Sequence, residues 1–535
     1  MTSQPFHPKS RGNGASEIPR ELTDKVLGLI LERIRHSEDF PALAESISTI
    51  NRIVSSEWES IASLSNVIIN DFALTNKLLK LVNSSAYIQY GGGNISTVSR
   101  AVAILGFDGV KSLAFTLILL DHLKSKNDAE HLRNEFLHAL FSGTLAREVS
   151  QRTFARCAEE AFVCAMFHNL GRLLAMFYLP EEENEIRRRM AQRKIGEHAA
   201  SEQVLGISLR ELGMAVASDW HFPEQIVHSM DSLPDEPARI PEENRDKLRM
   251  LAVFADELCA AIAHTSCRDM PGEISAIVER FSGGLPLTEG QLLETVDKTM
   301  DDVVEYANII QLNLQSIPFG RRISQTIIER QPDGGEDYSI QNARGCAAVS
   351  DSEEDDMPGG DGGDTDAHAI LTAGMGDISD ALVEENPLNE ALHIIMETLF
   401  RGLEFRHVLL CTVDVKKNAM VGRFGFGPGI EEMVKNFHFP LTGNPDLFQV
   451  AVNRGVDIVI ADSGAPQVRQ RLPAWYGKIA RAQTFALFPL SIHGTPVALI
   501  YGDKARAGAI RFSEAEKRLL RTLRNQAVLA LKQSL

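Results

Sequence analysis

The chain has 535 residues, of which 44% are apolar and 24% charged, a balance typical of soluble globular proteins. At about 150 residues per domain, this length predicts two to four domains. The 72 acidic residues against 54 basic ones give a formal net charge of −18. Because nucleic acids and anionic membranes would repel such a chain, the charge argues against binding to either.

Localisation and redox state can also be read from the composition. No apolar run reaches the roughly 18 residues that a membrane-spanning helix needs, and residues 1–20 lack the apolar stretch of a signal peptide. Six scattered cysteines form no C-x-x-C pair. These features predict a cytoplasmic protein with reduced thiols, no disulfide framework and no cysteine zinc site. We expect residues 1–20 to be disordered.

Residues 21–330 have the apolar spacing of successive amphipathic helices. Apolar residues recur at steps of three and four in segments 22–34, 74–82 and 248–258. Strand-like alternation is almost absent from this half. The sequence therefore predicts an all-α domain, with a core at about 36–235 followed by further helices.

A change of composition separates this half from the rest. Residues 333–366 contain eleven acids and one base, a local charge of −10. Such a segment buries too little apolar surface to offset its ordering entropy, so residues 331–378 are predicted to be a disordered, glycine-rich acidic linker. A flexible tether cannot transmit a rigid twist, and coupling between the halves is expected through direct docking or a shared partner.

Residues 379–535 have the pattern of an α+β domain. A helical pattern at 388–399 precedes β-rich runs at 408–413, 485–490 and 497–501. The loop at 493–495 predicts a hairpin between the last two runs, and Ser513 with Glu516 predicts a capping box on the closing helix. The expected architecture is helix, central antiparallel sheet, helix.

The helical half carries several motifs in a fixed order. They are FPAL at 40–43, VIINDFALTNKLLKLVNSSAY at 67–87, AFVCAMFHNLGRL at 161–173, and WHFP at 220–223. In this order they resemble the HDOD family, the HD-related output domain of bacterial signalling proteins. The resemblance implies a domain without its own enzymatic step, which acts through contacts with a signalling protein partner.

The C-terminal half is similar to GAF domains, a small-molecule-sensing fold, in the order of its elements and in the run NRGVDIVIAD at 453–462. The resemblance implies a small-molecule ligand in a pocket roofed by residues 427–479. No cofactor is expected. The flanking helices at 388–399 and 514–531 either form a homodimer or cover their own sheet, and the sequence leaves both open.

The HDOD resemblance also directs attention to a catalytic site that is altered here. Catalytic HD-superfamily relatives hold divalent metals with a His, a His-Asp pair and a later Asp. His138 and His168 occupy the histidine places, but Asn169 stands where the aspartate of the pair belongs. A neutral amide offsets no cationic charge and is a weak ligand for a hard cation. We therefore predict degenerate positions with no metal and no catalytic residues, and interpret both histidines as packed helix residues.

Two interpretations of function follow. In the first, the protein is a cytoplasmic bacterial signal-transduction protein: a GAF-like domain senses a signal and an HDOD-like domain is the protein-interaction output module. The alternative is a degenerate metal-dependent HD-type phosphodiesterase acting on a cyclic nucleotide, with a substitute acid such as Asp219 or Asp231 completing the site. The metal content of the purified protein would distinguish them.

Overall fold

The computed structural model describes residues 20–533, with gaps at 37–39, 54–57, 89–94, 125–129, 155–156, 235, 265–269, 331–362, 383–386 and 443–445. The segment expected to be disordered at the N-terminus lies, except for residue 20, outside the described residues. Helices occupy the chain as far as residue 330, and a six-stranded sheet with flanking helices follows. We call residues 20–330 the helical region and residues 363–533 the sheet region.

The helical region confirms the all-α prediction. Its α-helices are α1 (Arg20–Arg35), α2 (Phe40–Arg52), α3 (Trp58–Ile69), α4 (Phe72–Val82), α5 (Ser85–Ile88), α6 (Val98–Lys124), α7 (Glu130–Thr153), α8 (Ala158–Met166), α9 (Leu170–Tyr178), α10 (Pro180–Arg193), α11 (Glu197–Leu205), α12 (Leu209–Asp219), α13 (Glu224–Ser229), α14 (Asn244–His264), α15 (Met270–Phe281), α16 (Glu289–Ile309) and α17 (Pro318–Arg330). Helix α7 lies at the centre, in contact with α8, α14, α16 and α17, and is buried over most of its length.

Local capping signals set several helix starts. Asp71 accepts a hydrogen bond from the amide of Leu74 at 3.0 Å and begins α4. Ser208 and Glu211 form a capping box that begins α12. Each of these side chains satisfies an amide that has no partner within its own helix.

Two segments are long and apolar enough to cross a membrane by length and composition, Val98–His122 and Ala158–Tyr178. Their most apolar windows are 56% and 72% buried inside the protein, and the second segment spans the turn between α8 and α9. Core helices of globular proteins have these properties.

The sheet region confirms the predicted order of helix, antiparallel sheet and helix. Its helices are α18 (Gly363–Ala381), α19 (Pro387–Gly402), α20 (Ile430–Asn436), α21 (Leu447–Arg454), α22 (Pro466–Arg469), α23 (Tyr476–Ile479) and α24 (Glu514–Gln533). Its strands are β1 (His407–Asp414), β2 (Ala419–Phe426), β3 (His438–Pro440), β4 (Ile458–Ile460), β5 (Thr484–Ile492) and β6 (Thr495–Lys504), in the spatial order β3-β2-β1-β6-β5-β4.

Both short-range signals read from this part of the sequence are present. Strands β5 and β6 form the expected hairpin, with Ile492 opposite Thr495. The amide of Ser513 donates to Glu516 at 2.6 Å, and the amide of Glu516 donates back to the Ser513 hydroxyl at 3.2 Å, before α24. These two features position the last two strands and the closing helix on the sheet.

The predicted linker boundary is wrong at its C-terminal end. Residues 331–362 lie outside the described residues, but residues 363–378 belong to α18, which packs on α19. Leu371 and Ile378 of α18 are fully buried, and Met375 and Leu382 pack beside them. Burial of this stripe, spaced by four, three and four residues, offsets the helix-breaking tendency of Gly374 and Gly376.

The two faces of the sheet have separate apolar cores. Alternate residues of each central strand point to opposite faces, so that Leu410 and Ile500 face α19 and α24 whereas Cys411 and Tyr501 face the segment 427–480. Helices α19 and α24 thus cover their own sheet. The core under α19 is continuous with the core of the helical region, so the two regions are in direct contact.

Candidate functional site

His168 and Asn169 lie in the turn that joins α8 to α9. Within this turn the amide of Leu170 donates to the carbonyl of Phe167 at 2.9 Å. The ring of His168 donates from Nδ1 to the carbonyl oxygen of Ser229, at the end of α13, at 2.8 Å. Because a carbonyl oxygen only accepts, Nδ1 carries a proton and the ring orientation is fixed by α13.

Asn169 is held by an acid from a distant helix. Its Nδ2 donates to Oδ1 of Asp256, which lies in α14, 87 residues further along the chain. The amide makes no capping bond to α9, although it stands at the N-cap position. Its side chain therefore ties the α8–α9 turn to α14.

His138 packs against α17. Its ring is edge-on to Phe319, with centroids 4.6 Å apart, and its Nε2 lies 3.2 Å from Nδ2 of Asn134. Asn134 accepts a hydrogen bond from the amide of Phe319 through Oδ1, so its NH₂ group faces the histidine and donates to it. The carbonyl of His138 accepts from the thiol of Cys259 at 3.7 Å. His138 is therefore buried between α7, α14 and α17.

An arginine occupies the middle of the acidic groups around the turn. Arg172, one turn after Asn169, donates to Glu135 on α7 at 2.8 Å and to both oxygens of Glu197 at 2.7 and 3.0 Å. Burial raises the pKa of Glu135, and Arg172 partly offsets this rise, whereas the neighbouring charge of Asp256 adds to it. The guanidinium therefore supplies the positive charge that these carboxylates require.

As arranged here, Asn169 and His138 are oriented as partners of neighbouring side chains and not as ligands of a divalent metal. A metal ligand must present a lone pair, but Asn169 presents an N–H to Asp256 and the Nε2 lone pair of His138 receives an N–H from Asn134. Across the described part of the chain, no three His, Cys, Asp or Glu side chains lie together in a way that could hold a metal ion.

The two acids considered as substitutes do not reach the turn. Asp219 pairs with Arg35 at 2.6 Å, and Asp231 lies 3.7 Å from Arg210. The acid that does reach it, Asp256, was missed because it lies in the interior of an otherwise apolar helical pattern. An acid at such a position is the signal that could have identified it, since a buried carboxylate requires a partner.

The absence of a side chain at Gly171 allows the start of α9 to lie directly against α12. A Cβ at this position would be 1.7 Å from the carbonyl oxygen of Leu209, and a Cβ at Gly213 would be 2.7 Å from the amide nitrogen of Gly171. Helices α9 and α12 therefore touch backbone to backbone. Gly171 of the HNLGR motif and Gly213 of α12 are both required for this approach.

The NSSAY motif fixes the entry to α6. Nδ2 of Asn83 donates to the carbonyls of Leu79 and Ile95 at 2.9 and 2.7 Å, and Oδ1 of Asn83 accepts from the amide of Ile95 at 2.8 Å. One amide side chain thus holds both backbone groups of Ile95. This residue stands three positions before α6 begins.

Arg147 lies at the centre of a second buried polar group. Its guanidinium is fully buried, stacks on the ring of Tyr87 at 4.7 Å and donates to the hydroxyl of Tyr306 at 2.8 Å. Asp302, 3.4 Å away, has its pKa raised to about 6 by burial. Because this group connects α5, α7 and α16 internally, we assign it to the stability of the helical region.

The first amides of α6 are capped by the sheet region. The amides of Val98 and Ser99 donate to Oε1 and Oε2 of Glu397, on α19, at 2.6 and 2.7 Å. Glu397 is fully buried and lies 3.5 Å from Arg401. The starting amides of a helix have no intrahelical partner and favour negative charge, so a residue 299 positions away supplies the cap.

A second carboxylate completes this contact. Asp377, on α18, accepts from the amide and hydroxyl of Ser96 at 3.0 and 2.9 Å and from the hydroxyl of Thr97 at 2.9 Å. At the edge, Arg100 of α6 pairs with Glu390 of α19. Burial raises the pKa of Asp377 to about 6, although the hydrogen bonds act in the opposite direction. Direct docking, one of the two routes expected from the sequence, is thus present.

A separate contact joins the regions at α3. Oδ1 of Asn66 accepts a hydrogen bond from the amide of Gly427, at the end of β2, at 2.7 Å. The adjoining carbonyl of Pro428 lies 3.0 Å from Nε2 of His407, whose Nδ1 lies 3.1 Å from the buried carboxylate of Asp503. The loop that contacts α3 is therefore held from inside the sheet region.

The sheet face away from α19 is covered by an aromatic core. The members of this core lie in β5, in β6 and between residues 437 and 476, and neighbouring rings are 4.9 to 6.5 Å apart. They are Phe437, Phe439, Phe448, Trp475, Tyr476, Phe485 and Tyr501. The sequence places its expected ligand pocket over this face, and the described side chains fill the face with packed rings. Its roof, residues 427–479, consists of α20, β3, α21, β4, α22 and α23 where it is described.

Comparison with known proteins finds several that are similar to part of this chain. An uncharacterized protein of Treponema pallidum (strain Nichols) is 26% identical over 232 residues, which cover 41% of this chain and 43% of that protein; the chain thus spans less than half of this relative's length. A solved HDOD domain protein of unknown function from Geobacter sulfurreducens has 20% identity, a TM-score of 0.41 and coverage of 55% of this chain and 100% of its own.

Two further solved structures are similar to parts of the chain. One, from Shewanella amazonensis SB2B, is named provisionally as a phosphohydrolase and has 20% identity, a TM-score of 0.41 and coverage of 53% of this chain and 98% of its own. The other is the GAF domain of a phosphoenolpyruvate-protein phosphotransferase from Coxiella burnetii, with 15% identity, a TM-score of 0.27 and coverage of 32% of this chain and 95% of its own.

The family model of the HDOD domain matches residues 40–233. This part of the chain, which contains the HNLGR turn and the capped start of α6, is an HDOD domain.

Proposed function

We propose that the protein is a cytoplasmic signal-transduction protein without an enzymatic step of its own. In this proposal the sheet region is a GAF-like sensor of a small molecule, and the HDOD domain passes the signal to a partner protein. The observation that carries the proposal is the direct contact between the two regions, in which Glu397 and Asp377 cap the start of α6.

The position of this contact supports transmission of a signal from the sheet to the HDOD domain. Helix α19 lies between the sheet and the HDOD domain: His393 stacks on Phe424 of β2 at 4.1 Å, and Glu397, one turn later, holds α6. A ligand that repacks the sheet would therefore displace a helix that already contacts the HDOD domain. In other proteins, shifts of packed helices by about 1–2 Å transmit a signal between sites.

The altered HD positions support the absence of a reaction. Asn169 and Arg172 hold the nearby carboxylates by hydrogen bonds and ion pairs, and metal-dependent hydrolysis would need carboxylates that bind and bridge the ions. A signalling role requires no such site.

The test uses the purified full-length protein. We expect a nucleotide or metabolite from a screening panel to raise the melting temperature, and hydrogen exchange with that compound to show protection within residues 387–533 together with a change at residues 96–100. Stoichiometric iron or manganese, with turnover of a cyclic nucleotide or dinucleotide, would instead establish the degenerate phosphodiesterase. A compound that protects only the HDOD domain would contradict the assignment of the sensor.

A further inference from the structure

In the contact between α6 and the sheet region, the two sides contribute different kinds of groups. Most of the described donors belong to the HDOD domain; they are the amide and hydroxyl of Ser96, the hydroxyl of Thr97, the amides of Val98 and Ser99, and the guanidinium of Arg100. In the other direction, Arg401 of α19 donates to the carbonyl of Ser96 at 2.7 Å. The carboxylates of Asp377, Glu390 and Glu397 belong to the sheet region. The two sides are therefore complementary in charge and in hydrogen bonding.

Separating the two sides would restore water to groups that bind water strongly. Asp377 and Glu397 are 3% and 0% exposed in the contact. Burying an ionised carboxylate costs free energy that its hydrogen bonds must offset, and this cost is returned when the group meets water again. These polar groups therefore favour opening of the contact, whereas the apolar core that is continuous beneath α19 opposes it.

The covalent connection also permits separation. The 32 residues at positions 331–362 join the last helix of the helical region to the first helix of the sheet region. At about 3.3–3.6 Å per residue, a chain of this length reaches at most about 110 Å. Opening the contact therefore requires no break in the chain.

We propose that Asp377 and Glu397 form a latch on the start of α6, which keeps the protein closed and covers a partner-binding surface of the HDOD domain. This inference rests on the proposed function, since it identifies the surface that a signal would release. In the open state, the amides of Val98 and Ser99 and the side chain of Arg100 are available to a partner. The partner that fits them is a protein helix that presents carboxylates, as α19 does here.

The latch is tested by reversing its charge in the full-length protein. D377K/E397K places two cations against the amides and Arg100, and we expect a larger radius of gyration in small-angle scattering and at least tenfold faster exchange of the amides of Val98 and Ser99. Far-UV circular dichroism should be unchanged. The matched control is E431K/E432K, which makes the same charge change on exposed residues of α20 and should leave all three measurements as in the wild type.

A milder variant decides the outcome if the double reversal unfolds the protein. E397Q keeps the shape of the side chain but removes its charge, and we expect faster exchange at Val98 and Ser99 with circular dichroism unchanged. Exchange identical to the wild type in E397Q, or an unchanged radius of gyration in a folded D377K/E397K, would overturn the latch.

The covered surface is tested with a synthetic peptide of residues 387–402, the sequence of α19. We expect it to bind D377K/E397K and not the closed wild type, and to bind at least tenfold more weakly when its two glutamates at positions 390 and 397 are glutamines. Equal binding to both proteins, or equal binding of both peptides, would refute the partner chemistry. Because neither test involves a metal or a substrate, a finding of cyclic-nucleotide turnover would refute the proposed function and leave these results standing.

Discussion

The side-chain amide of Asn169 donates a hydrogen bond to Oδ1 of Asp256 and joins the α8–α9 turn to α14. In a catalytic HD site a carboxylate stands in place of this amide, and the negative charges are offset by metal ions. Here the amide removes one charge, and the guanidinium of Arg172 compensates part of what remains through Glu135 and Glu197. A network of ion pairs and hydrogen bonds thus holds α7, α9, α11 and α14 together.

Restoring the carboxylate should destabilise the protein. In N169D the donated hydrogen bond is lost and two carboxylates face each other in a half-buried turn, so we expect the free energy of unfolding to fall by about 1–3 kcal/mol. Urea unfolding at pH 8 measures this. The deficit should shrink towards pH 5, because the facing carboxyls then share a proton.

N169A is the control for this change, since it removes the hydrogen bond and adds no charge. It should cost less than N169D at pH 8 and show no added dependence on pH. If the two variants unfold at the same urea concentration at both pH values, Asp256 does not face residue 169 as an ionised group.

Removing the cation from this network should be costly. In R172M the buried Glu135 loses its partner, and we expect a loss of about 2–3 kcal/mol in the free energy of unfolding, the side chain of Arg172 being 29% exposed. Burial already raises the pKa of Glu135, and the loss of Arg172 raises it further. The deficit should therefore diminish as the pH falls and Glu135 takes up a proton.

A second substitution tests whether the unpaired Glu135 causes the stability loss in R172M. E135Q/R172M removes both charges of the pair and should recover part of the stability lost in R172M. R188M breaks an exposed pair with Glu185, in which Arg188 is 62% exposed, and should leave unfolding unchanged. Equal losses in R172M and the double variant would assign the effect to Glu197 instead.

The sequence was sufficient for the elements that local patterns determine. The amphipathic helices with apolar steps of three and four, the Ser513–Glu516 capping box and the hairpin at 493–495 are formed by neighbours in the chain, and the structure has all three. Asp256 could not be assigned in this way. Its partner lies 87 residues away, and only the packing of α14 across the α8–α9 turn brings the two together.

Composition was misleading at α18. Glycines and acids between residues 359 and 366 suggested that the linker continued to residue 378, yet Leu371 and Ile378 are buried against α19. The apolar stripe of α18 was present in the sequence, but the sequence did not show that α19 would cover it. The same limit hid the latch, because nothing near Glu397 in the sequence indicates that it caps α6.

Asp377 should make stability depend on pH. Burial raises its pKa to about 6 from an ordinary value of 3.8. A raised carboxyl pKa contributes stability that is fully present below 3.8 and is lost as the pH rises through about 6. Relative to D377N, the wild type should therefore gain about 1 kcal/mol in free energy of unfolding between pH 7 and pH 5.

The control for this prediction lies on the same helix. Asp380 is exposed, and D380N should follow the wild type at every pH. Denaturant unfolding at pH 5, 6 and 7 provides the comparison. A constant difference between the wild type and D377N across this range would show that Asp377 does not titrate there.

The backbone contact between Gly171 and α12 gives the largest expected effect. In G171A the added methyl group would lie 1.7 Å from the carbonyl oxygen of Leu209, closer than any real contact, and the obstacle is backbone that cannot rotate away. Helices α9 and α12 must separate, and overpacking of this severity should cost at least about 3 kcal/mol in the free energy of unfolding.

Gly28, inside α1, is the control, because no atom lies within 4 Å of the corresponding Cβ position. G28A should be neutral or stabilise the protein by up to about 1 kcal/mol through helix propensity. Urea unfolding of both variants measures the contrast, and a G171A protein as stable as the wild type would mean that α9 and α12 do not meet at this glycine.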